Sequence, residues 1–410
     1  MEIISDLQLH SRFSRACSKD ITLDQLEKYS RIKGLNLLST GDFQHPLWNS
    51  EIKKNLQEDE NGILWSKSKF PFIWGSEISL MFSQDGRRAV HLLMFAPNGE
   101  VADQMIDVLG KKGRLDYDGR PIFGMSCVEF VELMKEIDDK IEIIPAHCMT
   151  SWFGIFGSKS GFDSLKEAFK DKVDKVYAIE SGMSASPAML WRLKENVNIV
   201  SFSDAHSFWP YRLGREATVF DFAKLSYDNV IKAIRTGEGL KKTIEVKPEY
   251  GKYHIDGHRS CNFSCDYNES RKLNKICPKC KNELTIGVEF RIEELAKTVD
   301  GYKPENAKNF VEIIPLQELI AVVYNIKQLN SRKVLNIYDS LIKNFGNEFN
   351  VLLNINENEL KKAVHEKLAK IIILNRERKL RIKAGFDGVY GVIELDEKDK
   401  IKTQKSLGEF

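Results

Sequence analysis

The first 210 residues contain most of the side chains that could hold catalytic metal ions. Five of the eight histidines lie there, and four of these stand in or beside apolar runs typical of strands. Three carboxylates occupy similar positions, and imidazoles mixed with carboxylates suit zinc, manganese or iron. One such histidine alone is more simply explained as part of the core, whereas the whole set indicates a metal cluster. The candidate ligands are His10, Asp42, Glu77, His91, His147, Asp204 and His206.

A cluster of divalent cations would supply a specific chemistry. It lowers the pKa of a bound water towards ~7 and neutralises the oxygens of a phosphodiester, so that hydroxide can attack phosphorus. Asp204 and His206 end one apolar run together and are the candidate catalytic residues, orienting that water and moving protons. The sequence has no Walker-type phosphate loop, so nucleotide-driven chemistry is not indicated.

Four of the seven cysteines lie within twenty residues, in two close pairs. This spacing is typical of a structural zinc ion held by four thiolates, which leave no coordination position for water. Clustering of this kind favours a metal over disulfides. His254 and His258 precede the cluster and could replace one ligand, although local hydrogen bonding explains them more simply. The predicted zinc ligands are Cys261, Cys265, Cys277 and Cys280.

Short apolar runs alternate with amphipathic stretches over residues 1–240, which predicts a mostly parallel α/β fold. The candidate ligands stand near the ends of these runs, and in parallel barrels the carboxyl ends of the strands meet at one rim. We therefore expect one metal pocket in residues 1–240. Residues 251–290 read as a small zinc-binding module, residues 291–396 as a helical C-terminal DNA-binding region, and residues 397–410 as a flexible tail.

Charge is unevenly divided along the chain. Residues 1–240 hold 30 Lys and Arg against 34 Asp and Glu, and residues 241–410 hold 31 against 25. Residues 361–383, on a predicted helix, carry nine basic residues against two Glu. A basic half suits a polyanion such as DNA, and solvated surfaces are the plain alternative. Neither a signal peptide nor a membrane span is visible, so a cytoplasmic protein without membrane contact is expected.

The segments DLQLHSRFS, STGDF, GSEIS, AVHLL, IPAHC and FSDAH resemble, in order and spacing, the motifs of the polymerase-and-histidinol-phosphatase (PHP) domain. The resemblance implies a distorted (βα)7 barrel that holds two or three divalent ions (Zn²⁺, Mn²⁺ or Mg²⁺) on the ligands named above. Gln8 stands where that family has the first histidine, and a carboxamide is a weaker, uncharged ligand. Either one metal position is weakened, or Gln8 is a tolerated variant with water filling the gap.

Beyond the barrel, SRFSRACSKD, PAHCMTSWFG, FSDAHSFWPYRLGRE, KYHIDGHRSCN and GFDGVYGVI resemble the endonuclease Q family. This implies a DNA-repair endonuclease that hydrolyses the phosphodiester 5′ to a deaminated base (uracil, hypoxanthine, xanthine) or an abasic site. DNA with such lesions is the expected partner, a replication sliding clamp is a further candidate, and the chain is expected to be a monomer.

An enzyme of this kind must take the lesion out of the base stack, which requires a pocket above the metals. We expect the pocket in two segments with aromatic, glycine and hydroxyl content. Packing of Trp152 and Phe153 against the rim is the alternative. The predicted substrate-binding residues are Ser151, Trp152, Phe153, Gly154, Ser181, Gly182, Met183 and Ser184.

Two other functions remain open at this stage. A small-molecule phosphatase could use the same metals, although it would need neither the zinc module nor the basic C-terminal region. A catalytically impaired DNA-binding protein would follow if Gln8 disables the cluster, although the other ligand-like residues are present.

Overall fold

The structure is a computed structural model that describes residues 1–401. Strands and helices alternate up to residue 245, and helices dominate after residue 315. The strands are β1 (Glu2–Asp6), β2 (Leu37–Ser39), β3 (Gln57–Glu58), β4 (Leu64–Trp65), β5 (Pro71–Ser83), β6 (Arg87–Ala96), β7 (Ile122–Phe123), β8 (Glu142–Pro145), β9 (Ala178–Glu180), β10 (Asn198–Val200), β11 (Ala217–Asp221), β12 (Leu240–Glu245), β13 (Asp256–His258), β14 (Phe263–Cys265), β15 (Asn309–Glu312), β16 (Arg381–Lys383) and β17 (Val392–Glu394). The helices are α1 (Leu23–Lys33), α2 (Pro46–Asn55), α3 (Gly99–Gly110), α4 (Cys127–Ile137), α5 (Leu165–Phe169), α6 (Pro187–Trp191), α7 (Tyr227–Thr236), α8 (Tyr267–Lys272), α9 (Val288–Leu295), α10 (Leu316–Val323), α11 (Arg332–Phe345), α12 (Glu348–Leu353), α13 (Glu357–Ala363) and α14 (Glu366–Arg376).

The main sheet is mixed, which departs from the mostly parallel arrangement expected. β1, β2 and β5 pair in parallel, but β6 is antiparallel to both β5 and β8. No helix separates β5 from β6, because Asp85 and Gly86 both adopt positive φ and close a hairpin. An Asp-Gly pair between apolar runs favours such a turn. The α/β class is therefore confirmed, while a barrel of seven βα units stays a prediction.

The carboxyl end of β1 lies beside the segment that follows β10. Leu9 pairs in parallel with Ala205, and the buried Asp6 carboxylate accepts hydrogen bonds from Ser203 N (3.0 Å) and Ser203 Oγ (2.5 Å). These contacts bring the residues after β1 and after β10 to one place. The two ends of the metal-binding sequence, almost 200 residues apart, therefore meet at one rim.

The C-terminal half differs in detail from its prediction. β15 adds to the main sheet by pairing in parallel with β12, so residues 291–396 are not all helical. The basic run at 361–383 is not one helix either: α13 ends at Ala363, and α14 begins after His365, whose Nδ1 accepts the Lys367 N–H. Residues 397–399 form a 3₁₀ turn rather than a loose tail, and residues 402–410 lie outside the described part. No described helix is long and apolar enough to cross a membrane.

A buried ion pair joins the helical C-terminal region to the metal-binding half. Lys33 at the end of α1 places Nζ 2.8 Å from Glu348 Oε1 and donates to the Pro210 carbonyl. Glu348 also accepts from Leu316 N (3.0 Å) and, through Oε2, from the Tyr338 hydroxyl (2.7 Å). Both charges are out of contact with water, so each depends on the other for compensation.

Replacing Lys33 by Met should therefore destabilise the fold by about 3–5 kcal/mol, because it leaves a buried, unpaired carboxylate. Lys28→Met, on the exposed face of the same helix, is the matched control and should change stability by less than about 0.5 kcal/mol. Urea unfolding of both variants measures the difference. Equal stability of the two variants would contradict the role given to this pair.

Candidate metal centre and its pocket

Glu77 is the centre of the predicted ligand set. Its Oε1 lies 2.6 Å from His91 Nδ1 and 3.2 Å from His147 Nε2, and its Oε2 lies 2.9 Å from His10 Nε2. Burial raises the pKa of Glu77, but Arg120 and the neighbouring imidazoles outweigh burial and hold that pKa well below its usual range. Glu77 is therefore a charged carboxylate between two groups of imidazoles.

The donor atoms fall into two groups of three residues. Glu77, His91 and His147 form one group, and within each group the donor atoms lie within 4.8 Å of one another. His10 Nε2 connects the groups, since it also lies 3.2 Å from Asp204 Oδ1. Imidazoles with carboxylates in this arrangement fit two neighbouring divalent cations. The second group is His10, Asp204 and His206.

Three of the predicted site residues adopt a backbone conformation that is unfavourable for them. Asp42, His147 and Asp204 have φ of +42°, +30° and +49°, in the left-handed region that residues with a Cβ avoid. Each follows directly on a strand or its extension, where the chain must turn sharply. Strain of this kind is typical of functional sites, where the surrounding structure fixes the side chain.

Asp42 lies behind His10 and belongs to neither donor group. Its Oδ1 is 3.0 Å from His10 Nδ1, and its Oδ2 accepts from Ser11 N, Ser11 Oγ and Ser14 Oγ at 2.6–2.8 Å. Burial lowers the pKa of His10, but Asp42, Asp204 and Glu77 together raise it well above its usual value. A carboxylate behind an imidazole is a common way to orient a metal-binding histidine. We therefore place Asp42 as an orienting group.

Gln8 is buried at the bottom of the same site, with 2% of its surface exposed. Neither Oε1 nor Nε2 of its amide has a hydrogen-bond partner among the described residues, and the same holds for Oε1 of the buried Glu180. Buried polar atoms are normally paired, so unpaired ones indicate a place for water or an ion. The donors present fit bound cations, with Gln8 outside both three-residue groups.

A cavity of about 250 Å³ opens above these groups. Trp152, Gly182, Met183 and Ser184, four of the eight predicted substrate-binding residues, line it. Trp152 is half exposed at the entrance. Both predicted segments therefore reach the cavity, each through only part of its residues.

The other four predicted substrate-binding residues have structural contacts instead. Ser151 Oγ donates to the Ile286 carbonyl (2.8 Å), and Ser181 Oγ donates to Glu245 Oε2 (2.9 Å). The Phe153 ring stacks on His91 at 4.4 Å. Gly154 occupies a turn so tight that a Cβ would collide with a carbonyl oxygen. These residues support the rim from behind, as the alternative for Phe153 anticipated.

Eight further residues line the cavity that the sequence did not single out, and five of them are basic or phenolic. Arg120 Nη1 lies 3.3 Å from Glu77 Oε2. The other four basic or phenolic residues come from loops before β11, before β13 and after β16, so only the fold brings them together. The five are Arg120, Arg215, Lys252, Tyr253 and Tyr390.

The cysteine cluster contains a candidate metal-binding group that differs by one residue from the four cysteines predicted. His258 replaces Cys265: its Nδ1 lies 3.5 Å from Cys280 Sγ, and with Cys261 and Cys277 the four donor atoms lie within 4.8 Å of one another. Cys265 stands in β14 opposite Asp256 and packs with Leu284 in a small apolar cluster. Cys265 also packs against Cys277, so it stays close to the donor group without being a member of it, whereas His258, at the end of β13, is a member. Three thiolates and one imidazole are a usual structural zinc set.

We therefore expect His258→Ser and Cys261→Ser to lose the structural zinc, and Cys265→Ser, the matched control, to retain it. The measurement is the zinc content per chain after dialysis, with the thiols released to a colorimetric reagent as a second readout. If Cys265→Ser lost the ion as completely as Cys261→Ser, the four-thiolate set would be restored.

Comparison with known proteins gives matches over the whole chain. Residues 315–379 match the family described as the MJ0043 C-terminal domain. Protein MJ0043 of Methanocaldococcus jannaschii is 33% identical over 300 residues, 69% of this chain, which spans only 35% of that protein's length. Protein YqxK of Bacillus subtilis is 27% identical over 92% of this chain and 93% of its own.

Two solved structures share the complete fold at 30% sequence identity. The lesion-specific endonuclease PfuEndoQ of Pyrococcus furiosus superposes with a TM-score of 0.86, covering 97% of this chain and 96% of its own. An endonuclease Q in complex with a 27-mer duplex that carries an abasic lesion at the active site superposes with a TM-score of 0.88, covering 99% and 100%. With agreement over nearly every residue of both chains, this chain belongs to the endonuclease Q family.

Proposed function

We propose that this protein is a metal-dependent DNA endonuclease that hydrolyses the phosphodiester 5′ to a deaminated base (uracil, hypoxanthine or xanthine) or an abasic site. The observation that carries the proposal is a pair of three-residue donor groups, joined through Glu77 and His10, at the bottom of a cavity with basic and aromatic walls. A PHP-type barrel, DNA with such lesions as substrate, a sliding clamp as a further partner, a monomeric state and a cytoplasmic location belong to the same proposal.

The size of the cavity supports a substrate that leaves the double helix. A volume of about 250 Å³ accommodates one nucleoside unit and not a duplex. A lesion must therefore be extracted from the stack, which costs a few kcal/mol and is easiest where the base is mispaired or missing. The related endonuclease Q whose structure contains a duplex with an abasic lesion at its active site supports the same mode of binding here.

The residues of the site have separate roles in the proposed hydrolysis. Cations bound at the two donor groups would supply Lewis acidity and an activated water. Asp204 and His206 lie at the open side of the site, each with about a third of its side chain exposed, so both can reach substrate oxygens. His206 Nδ1 lies 2.9 Å from the Asp204 carbonyl oxygen, which leaves Nε2 to bind a cation or, where the cation is held by other donors, to exchange a proton with substrate. Trp152 at the entrance offers a flat surface for stacking.

The first test is cleavage of a duplex with an abasic site or a uracil in the presence of Mn²⁺ or Mg²⁺. Asp204→Asn should reduce the rate at least 100-fold, because it removes one charge from a metal-binding group. Asp103→Asn, which alters an exposed ion pair with Lys53, is the matched control and should leave the rate unchanged. Cleavage that ignores Asp204 would contradict the site assignment, and cleavage that persists in EDTA would contradict metal dependence.

Gln8 separates the nuclease from an impaired DNA-binding protein. If Gln8 only weakens one metal position, Gln8→His should raise the number of divalent ions bound per chain and raise cleavage, because imidazole binds such ions more strongly. The ion count comes from elemental analysis and the rate from the nicking assay. Absence of cleavage in both proteins would overturn the nuclease proposal and favour the DNA-binding one.

A further inference from the structure

The metal cavity has a basic wall whose charges the metal ligands do not use. Arg215, Lys252 and Tyr390 line the cavity together. Arg120, the other basic residue of the cavity, is already paired with Glu77. Lys252 forms no ion pair within the described part of the chain, so its positive charge is available to a ligand.

Arg215 lines the cavity and has one buried hydrogen-bond donor without a partner among the described residues. Only 9% of its surface is exposed, and its Nε donates to the Ser203 carbonyl (3.0 Å), which fixes the guanidinium. Nη1 has no partner among residues 1–401. A buried guanidinium that lacks a partner at one nitrogen is costly, and an anionic oxygen is the partner that guanidinium recognises best.

Tyr390 holds the basic wall together. Its ring lies 4.7 Å from Lys252 Nζ and 5.3 Å from the Arg212 guanidinium, as in cation–π contacts. Burial raises the pKa of the Tyr390 phenol, but three neighbouring cations outweigh burial and lower that pKa. The three are Arg215, Arg212 and Lys252. The phenol therefore stands in a strongly positive environment.

The loop that carries Tyr390 is fixed before any ligand arrives. Gly385 N donates to the Glu249 carbonyl (2.9 Å), Gly388 N to Lys252 (3.0 Å) and Gly391 N to Tyr250 (3.1 Å). Side chains at Gly385 and Gly391 would collide with the carbonyl oxygens opposite. Backbone pairing along the whole loop pre-organises the wall, and pre-organised donors bind charge without a reorganisation cost.

We propose that Arg215 and Lys252, positioned by Tyr390, form a subsite for one backbone phosphate of the substrate strand, next to the phosphate that is cut. This inference rests on the proposed function. The chemistry favours a phosphate over a base edge, because two neighbouring cations bind an anionic oxygen more strongly than the neutral acceptors of a base.

The test measures binding of the full-length protein, with Ca²⁺, to an abasic duplex in which each phosphate flanking the lesion is replaced in turn by an uncharged methylphosphonate. Lys252→Ala should weaken binding of the unmodified duplex about tenfold and lower the salt dependence of log Kd by about 0.9. At one phosphate position only, the methylphosphonate should weaken DNA binding by the wild type as much as Lys252→Ala does. At that same position it should leave DNA binding by Lys252→Ala unchanged. Additive effects at every position would overturn the subsite.

Controls separate this subsite from general attraction and from misfolding. Lys241→Ala removes an exposed lysine paired with Glu2, and its affinity should stay within twofold of the wild type. Arg215→Gln should lose its sensitivity to the same methylphosphonate position as Lys252→Ala. If Arg215→Gln fails to fold, Arg215→Lys keeps a positive charge at the wall and is tested against the same position. Competition by 10 mM inorganic phosphate without any coupled position would assign the subsite to free phosphate and overturn its assignment to DNA.

The nicking assay, run in parallel, distinguishes the two proposals. Cleavage by the wild type with no coupled phosphate overturns the subsite and leaves the nuclease. A coupled phosphate without cleavage in Mn²⁺ or Mg²⁺ supports the subsite and overturns the nuclease.

Discussion

The carboxylate of Glu77 is the interaction on which the rest of the site depends. It lies within 2.6–3.3 Å of three histidines and one arginine, and it is almost completely buried. A buried charge in that position is tolerated only when an opposite charge and hydrogen-bond donors surround it, and Arg120 and the imidazoles supply both. Several features bring the partners of Glu77 within reach. They are the strained turns at Asp42, His147 and Asp204, the hairpin that presents His91, and the Asp42 carboxylate that orients His10.

The sequence predicted candidate metal ligands, most of which lie close together in the structure, because they stand at the ends of apolar runs and the fold gathers those ends at one place. It also predicted the α/β class and the helical region that follows. For the cysteine cluster it predicted four thiolates, whereas the structure groups His258 with three of them. Spacing along the chain made Cys261 and Cys265 a pair, whereas the register of a short hairpin put His258 beside the other thiolates, and register depends on pairing that spacing does not reveal.

The walls of the cavity were the least predictable part. Lys252 and Tyr390 belong to segments that read as a module boundary and a turn, and only their backbone pairing with each other places them above the metals. Half of the expected base-pocket residues support the rim from behind, because a run of consecutive residues in a loop cannot all face the same side. Arg215 lies in the loop that leads into β11, and a lone arginine carries no signal of its own in one sequence.

The late position of Tyr390 in the chain also bears on how the protein folds. Its loop pairs with backbone groups that lie almost 140 residues earlier, as in the hydrogen bond from Gly388 N to the Lys252 carbonyl. Closing so large a loop costs chain entropy before any contact compensates for it, whereas the helices in between form from local contacts. We therefore expect this wall of the cavity to be among the last parts of the protein to become ordered.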